Sequence, residues 1–332
     1  MQRPSKKHSY TSLLPHYPTE PNFRIHRYYG NAGSTLLDRV FPSSHACRRV
    51  PGESIREAML RHEHYLALHL RLQPSHRVLD LGCGTGGPAR AISRLAGVDV
   101  HGIDVCSARI QRAEPLTRQA RLDHRVRFAA GDFSSALSTW PAASFDRAYS
   151  IEATCYAPDL VAVYAEACRV LKPGGVFAVY EVALTDAFDP NDAAHQAVRY
   201  SMQKVAGNPH LRTATTVQAA MQTAGFELLT VEDLAECPDS LPWYQLLDGS
   251  FGWRGGVLET LLAGVMALFF WLFATGGIGC WALECAESVG LCGLGTQDRV
   301  TEVARVMEAY ATAGEKKLVT PMLLVVGRKP EA

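Results

Sequence analysis

Residues Val78 to Gly87 read Val-Leu-Asp-Leu-Gly-Cys-Gly-Thr-Gly-Gly, a carboxylate followed at once by a run of alternating glycines. Glycine is required where a backbone turns sharply and approaches a ligand closely. An apolar strand, His76 to Leu81, leads into the glycines, and Pro88-Ala89-Arg90-Ala91-Ile92 opens a helix after them. Strand, glycine turn and helix form the nucleotide-binding corner of a doubly wound sheet. A dinucleotide fingerprint reads G-x-G-x-x-G and seats pyrophosphate on the helix N-terminus. The carboxylate of Asp80 repels pyrophosphate and suits a ligand that carries a positive ammonium group. Two more acids stand at the ends of the next two predicted strands. Asp104 follows Val98–Ile103 and is placed for two ribose hydroxyls, since a carboxylate accepts from both. Asp132 follows Val126-Arg127-Phe128, placed for an adenine amino group, with Phe133 beside the ring. Any one of these acids alone reads as a loop or cap residue. The succession of all of them after D-x-G-x-G-x-G points to a cofactor site.

The string closely resembles the turn of S-adenosylmethionine (SAM) methyltransferases. The expected cofactor-binding residues are Asp80, Gly82, Cys83, Gly84, Gly86, Asp104, Asp132, Phe133 and Glu152. SAM supplies an electrophilic methyl, so the protein must align the acceptor with it and keep water out. No metal is expected: the nine cysteines are scattered, odd in number and without C-x-x-C spacing, as in a reduced intracellular compartment.

The elements that must carry these residues follow from periodicity. Apolar positions Ile55, Met59, Leu60, Leu66 and Leu68 predict a helix within Glu53–Leu72. After the first three strands come a fourth, Phe145–Ser150, a loop from Ile151 to Pro158, and a helix over 160–171. A turn at Lys172-Pro173-Gly174-Gly175 and a fifth strand, Val176–Val182, complete a parallel α/β sheet. Beyond Asp186 helices dominate, over 191–205, 215–224 and most of 256–312, with strand-like pieces at Phe226–Val231 and Met322–Val326. The expected architecture is a Rossmann-like class I methyltransferase sheet with a C-terminal helical cap. Its parts are an irregular N-terminal arm (1–52), a SAM-binding core (53–186), and a cap with the last strands (187–332).

Hydrophobic content of 47% supports a large core, and a formal net charge of +0 gives no general attraction to nucleic acid. The basic start, Met1 to His8, is not followed by an apolar run, so no secretory signal is expected. From Thr260 to Leu283 there is no charged residue, which is long enough to suggest a membrane span. The Gly276-Gly277 interruption and the acidic flanks Glu259 and Glu284 favour a buried or membrane-contacting hairpin instead.

From Arg61 onward the chain resembles the sterol 24-C-methyltransferases. The matching stretches are Arg61-His62-Glu63-His64-Tyr65-Leu66-Ala67, Gly86-Gly87-Pro88-Ala89-Arg90, Ile151-Glu152-Ala153-Thr154-Cys155, Val179-Tyr180-Glu181, Leu241-Pro242-Trp243-Tyr244 and Thr320-Pro321-Met322. The resemblance implies C-methylation of an electron-rich alkene through a carbocation, which needs a hydrophobic slot, aromatic or acidic groups near the cation, and a base. Glu152, Tyr156 and Glu181 are its catalytic candidates; Tyr156 stands where the family usually carries histidine. The family's aromatic stretch before the first helix is missing at Leu36–Phe41, and acids of a later helix are replaced by Ser201 and Gln203. Both departures fall on the acceptor side. They leave open an O-methyltransferase with Tyr156, His195 or His45 as base, and a SAM-binding cyclase or rearrangement catalyst that transfers no methyl. The expected partner is a hydrophobic small molecule of sterol, terpenoid or polyketide type, not nucleic acid. The Thr260–Leu283 run allows contact with a membrane surface, self-association is left open, and the expected location is cytoplasmic or peripheral on the endoplasmic reticulum.

Overall fold

A computed structural model describes residues 43, 45–204, 208–248 and 296–331. The first helix, α1 (Ile55–His69), begins at Ser54, whose hydroxyl accepts from the Glu57 backbone while the Glu57 side chain takes the Ser54 N–H. Its buried face holds three of the five expected apolar positions. Ile55, Ala58, Met59, His62, Glu63, Leu66 and Ala67 turn inward, whereas Leu60 and Leu68 are exposed. Apolar spacing missed only the part of this face that a histidine and a glutamate supply.

The strands β1 (Arg77–Leu81), β2 (Asp99–Asp104) and β3 (Val126–Ala130) alternate with the helices α2 (Gly87–Ala96) and α3 (Ser107–Gln119). Then come β4 (Phe145–Ile151), α4 (Leu160–Val170), β5 (Leu171–Leu184), α5 (Ala193–Lys204), β6 (Arg212–Thr213), α6 (Ala214–Thr223) and β7 (Glu227–Asp233). Among the described residues the chain ends with α7 (Thr296–Glu315) and β8 (Val319–Arg328). The sheet order is β3-β2-β1-β4-β5-β8-β7, with the short β6 pairing β5.

Side chains alternate between two cores, as the strand pleat requires. Leu79, Leu81, Phe177 and Val179 pack against Tyr164 and Ala167 of α4 and Met221 of α6. Val78, Ala178 and Tyr180 pack on the other face against Leu66 of α1 and Ile92 of α2. Strands covered on both faces read as nearly continuous apolar runs, and β8 is buried along almost its whole length.

The first five strands are parallel, as expected, and β8, antiparallel to both β5 and β7, makes the whole sheet mixed. Period-two alternation is the same in either direction, so the sequence pattern could not reveal this. The expected turn at 172–175 lies inside β5: pairing with β4 jumps from Phe145–Leu171 to Arg147–Val176. Gly174, at φ +71, bulges there, and the last strand closes over it through Gly174 N–H to Lys329 O (3.0 Å) and Lys329 N–H to Gly175 O (2.8 Å). The run Thr260–Leu283, most of the arm and the Leu36–Phe41 departure lie outside the described residues. Among the described residues no helix is long and apolar enough to cross a membrane.

Gly102 in β2 joins the sheet to the glycine turn. A Cβ there would lie 2.7 Å from Cys83 Cβ and 2.8 Å from the Phe128 ring. Gly102→Ala is therefore expected to destabilise the fold by about 1–3 kcal/mol through overpacking, read as a lower denaturant midpoint with an unchanged slope.

Candidate active site

The carboxyl ends of β1, β2 and β4 meet where the strand order reverses about β1, the place where open α/β sheets bind ligands. A cavity of about 480 Å³ opens there, within the range of small-molecule sites. Asp80, Gly82, Cys83, Gly84, Asp104, Asp132, Phe133, Glu152 and Tyr156 line it. So do Ser43, His45 and Arg109. Gly86 and Glu181 are not among the lining residues.

The glycine turn is shaped by what it touches. Gly82, Gly84 and Gly86 all have positive φ, at +81, +55 and +75. A Cβ on Gly82 would stand 2.1 Å from the Ala153 Cβ, and one on Gly86 would stand 2.3 Å from the Phe128 ring. Gly86 thus serves the site from behind, by letting α2 start close over β3. Asp104 fastens the same turn. One carboxylate oxygen accepts the Gly84 N–H and the other the Cys106 N–H, both at 2.8 Å. Each oxygen retains a second lone pair for a ligand hydroxyl.

Asp80 is buried and accepts the Tyr149 hydroxyl at 2.8 Å. Burial pushes its pKa up to about 7, against that hydrogen bond. Asp132 caps a single helical turn, accepting the Ser134 N–H at 2.8 Å, and so presents Phe133 at the cavity wall. Glu152 follows β4 with φ +50, a conformation costly for a non-glycine residue. One of its oxygens accepts the Ala46 N–H at 2.7 Å. Burial raises its pKa to about 7, opposed by the charge of His45 and the Ala46 bond. The donor chemistry fits the expected cofactor: a close-approach backbone cradle, with several carboxylates facing one cavity, suits a cationic ligand bearing hydroxyl and amino donors.

The acceptor-side candidates are separated. Tyr156 lines the cavity from the 3-10 turn Thr154–Tyr156. Glu181 sits beneath that turn, taking hydrogen bonds from the hydroxyls of Thr154 and Tyr164, so it braces the turn that carries Tyr156. His195 is on α5, near the surface, where its Nδ1 accepts the Asp189 N–H at 3.0 Å. His45 does face the cavity, but both ring nitrogens are engaged, Nδ1 with Ala46 O at 2.7 Å and Nε2 with Glu63 Oε1 at 3.1 Å. Burial works to lower the His45 pKa, yet Glu63 and Glu152 together raise it. Glu63 was legible only as part of the Arg61–Ala67 stretch, and its role is tertiary. Arg109, from α3, packs its guanidinium over Gly84, and nothing in its sequence neighbourhood marks it.

Asp104→Asn must turn an amide N–H toward the Gly84 or Cys106 N–H. The fold should lose about 1–3 kcal/mol, with SAM binding weakened at least about tenfold, read by calorimetry. Asp80 and Glu152, raised to about 7, stabilise the unliganded fold below the unfolded carboxyl values of about 4 and withdraw that contribution as pH rises to about 7. The melting temperature without ligand should fall over that window, and Asp80→Asn should flatten the fall. A cationic ligand favours the ionised groups, so SAM should bind about tenfold more tightly near pH 7 than near pH 5, and should raise the melting temperature more at the higher pH.

Comparison with known proteins agrees with this geometry. A family model described as a methyltransferase domain matches residues 72–235, and one described as the sterol methyltransferase C-terminal matches residues 275–331. The sterol 24-C-methyltransferase erg6 of Aspergillus fumigatus is 40% identical over 306 residues, covering 92% of this chain and 79% of its own. The methyltransferase phqN of Penicillium fellutanum is 38% identical over 299 residues, covering 89% and 90%. Among solved structures, geranyl diphosphate C-methyltransferase from Streptomyces coelicolor, held with geranyl diphosphate and S-adenosylhomocysteine, aligns with TM-score 0.62 at 17% identity, covering 95% of this chain and 100% of that one. That last likeness speaks to the fold alone. Cradle, carboxylates and relatives together show that the chain belongs to the sterol 24-C-methyltransferase family and is a SAM-dependent methyltransferase of class I fold.

Proposed function

We propose that this enzyme methylates an alkene carbon of a lipid-like isoprenoid, a sterol, triterpenoid or related metabolite, through a carbocation on the acceptor. The observation that carries the reading is the placement of Glu152. The turn after β4 holds its carboxylate in the cavity wall with Asp80 and Tyr156. One of its oxygens is spent on the Ala46 N–H, and the other is available to face developing positive charge and to receive a proton. Bound SAM supplies the electrophilic methyl. Tyr156 would offer a ring face to the cation, and Glu181 would act at one remove by holding Thr154.

O-methylation is the weaker reading. Glu152 would serve an alcohol acceptor as base as well, so the choice between the readings turns on the relatives; neither histidine considered as base is open to the cavity. His45 has both nitrogens committed, and His195 is engaged on α5 outside the cavity lining. The high identity to sterol 24-C-methyltransferases supports the carbon acceptor. The uncharged run Thr260–Leu283 is proposed as the surface through which a greasy acceptor arrives, with a peripheral location on the endoplasmic reticulum.

The test is incubation of the full chain with methyl-labelled SAM and a panel of sterols and polyenes bearing side-chain double bonds. The expected result is carbon-bound label with stoichiometric S-adenosylhomocysteine, and a loss of about a hundredfold or more in Glu152→Gln, as befits an acid–base group. Label on oxygen, or turnover without S-adenosylhomocysteine, would overturn the proposal.

A further inference from the structure

A second layer lies behind Glu152. Residues 45–49, with Ser43 just ahead of them, form a strap that borders the cavity. The strap is tied to the rest of the molecule on both sides. On one side Arg61 Nη2 of α1 donates to Arg48 O at 2.7 Å. On the other, Leu241 N–H donates to Arg49 O at 2.8 Å, and Arg48 pairs with Asp239 and with Ser240 Oγ. Within the cavity wall, two polar side chains of this segment converge on one buried carboxylate. Ser43 Oγ donates to Glu63 Oε1 at 2.5 Å, and His45 Nε2 approaches the same oxygen at 3.1 Å. The neighbouring residue of the strap, Ala46, delivers its N–H to Glu152.

We propose that His45 and Glu63 form a positioning pair for Glu152: Glu63 of α1 anchors the imidazole, and the anchored strap presents both the Ala46 N–H and the positive ring to the pocket carboxylate. The inference rests on reading Glu152 as the group that faces the reacting carbon. His45 Nδ1 faces a carbonyl oxygen and Nε2 a carboxylate oxygen. A ring between two acceptors is best satisfied with both nitrogens protonated. That ring then brings one positive charge into a cavity wall otherwise rich in carboxylates, and its field favours the ionised form of Glu152.

Other groups face the pair. His62 stacks on Tyr180 with centroids 3.9 Å apart and lies 5.6 Å from the His45 ring. Burial, followed by the charges of His45 and Arg61, keeps its pKa well below the ordinary value, so it adds no second positive charge. Asp80 feels both members of the pair with opposite sign. Glu181 disfavours the charge of Glu152. Removing either member of the pair therefore leaves Glu152 facing Glu181 without its counter-charge.

The test reads the protonation of Glu152 by infrared spectroscopy of the full chain, the Glu152→Gln difference spectrum assigning its carboxyl band. In Glu63→Gln and in His45→Gln the midpoint of that band should rise by about one pH unit. The double variant should shift no further than either single one, since the two act as a unit. With SAM and an accepted sterol, the acidic limb of the kcat profile should move by the same amount, while KM for SAM, compared above that limb where Glu152 is ionised in every variant, changes less than about twofold. Ser43→Ala, which keeps the His45–Glu63 contact, should move the limb by less than either. Titration of Glu152 as in the wild type, in both single variants, would overturn the proposal. Should Glu152→Gln itself retain full activity, the assignment of Glu152 fails independently, since the spectroscopic shift is read without turnover.

Discussion

The whole site depends on a contact that tolerates no side chain. The turn after β1 passes against the loop after β4 at Gly82, where a Cβ would fall 2.1 Å from that of Ala153. Because the backbones approach this closely, Asp80 at the end of β1 and Glu152 after β4 line one cavity instead of two separate loops. The strand order makes the contact available, since β1 lies between β2 and β4 and their connections leave in opposite directions. Asp104 then locks the turn from the β2 side, taking one backbone N–H from the glycine turn and one from its own loop. Cradle and chemistry are thus consequences of one close approach.

Charge is handled by pairing and by hydrogen bonds within a buried wall. Isolated carboxylates are costly away from water, and here Asp80 and Glu152 both sit with raised proton affinity, near 7. Such groups are poised to change state when a cationic ligand arrives. Glu181, also raised to about 7 by burial, is satisfied by two hydroxyls and braces the loop that carries Glu152. The strap from residue 45 adds the histidine. The site is therefore assembled from three layers: the sheet ends, the β4 loop on its brace, and the strap held by α1.

Much of the fold was legible in the residues. The alternation of apolar runs with amphipathic helices marked the strands through β5 within a few residues, because strands buried on both faces cannot hide their composition. That Asp80, Asp104 and Asp132 gather at one cavity was legible because they sit at predictable strand ends. Three things were not. The direction of β8 was invisible to periodicity. Part of the inner face of α1 was missed, because His62 and Glu63 are buried there beside the expected Ile55, Met59 and Leu66. Glu181 read as a catalytic candidate from its place in β5, yet the side chain points beneath the loop to Thr154 and Tyr164.

The sequence by itself determined the methyl donor, the order of elements through β5 and the family, since these rest on local glycine chemistry, strand-end acids and contiguous motifs. Only the tertiary structure decided which polar groups share the cavity. Ser43, His45 and Glu152, which line the cavity, and Glu63, which holds the first two, come from the strap, the β4 loop and α1, separate parts of the chain. No spacing rule links them, because their meeting is set by how α1 and the strap pack over the ends of the sheet.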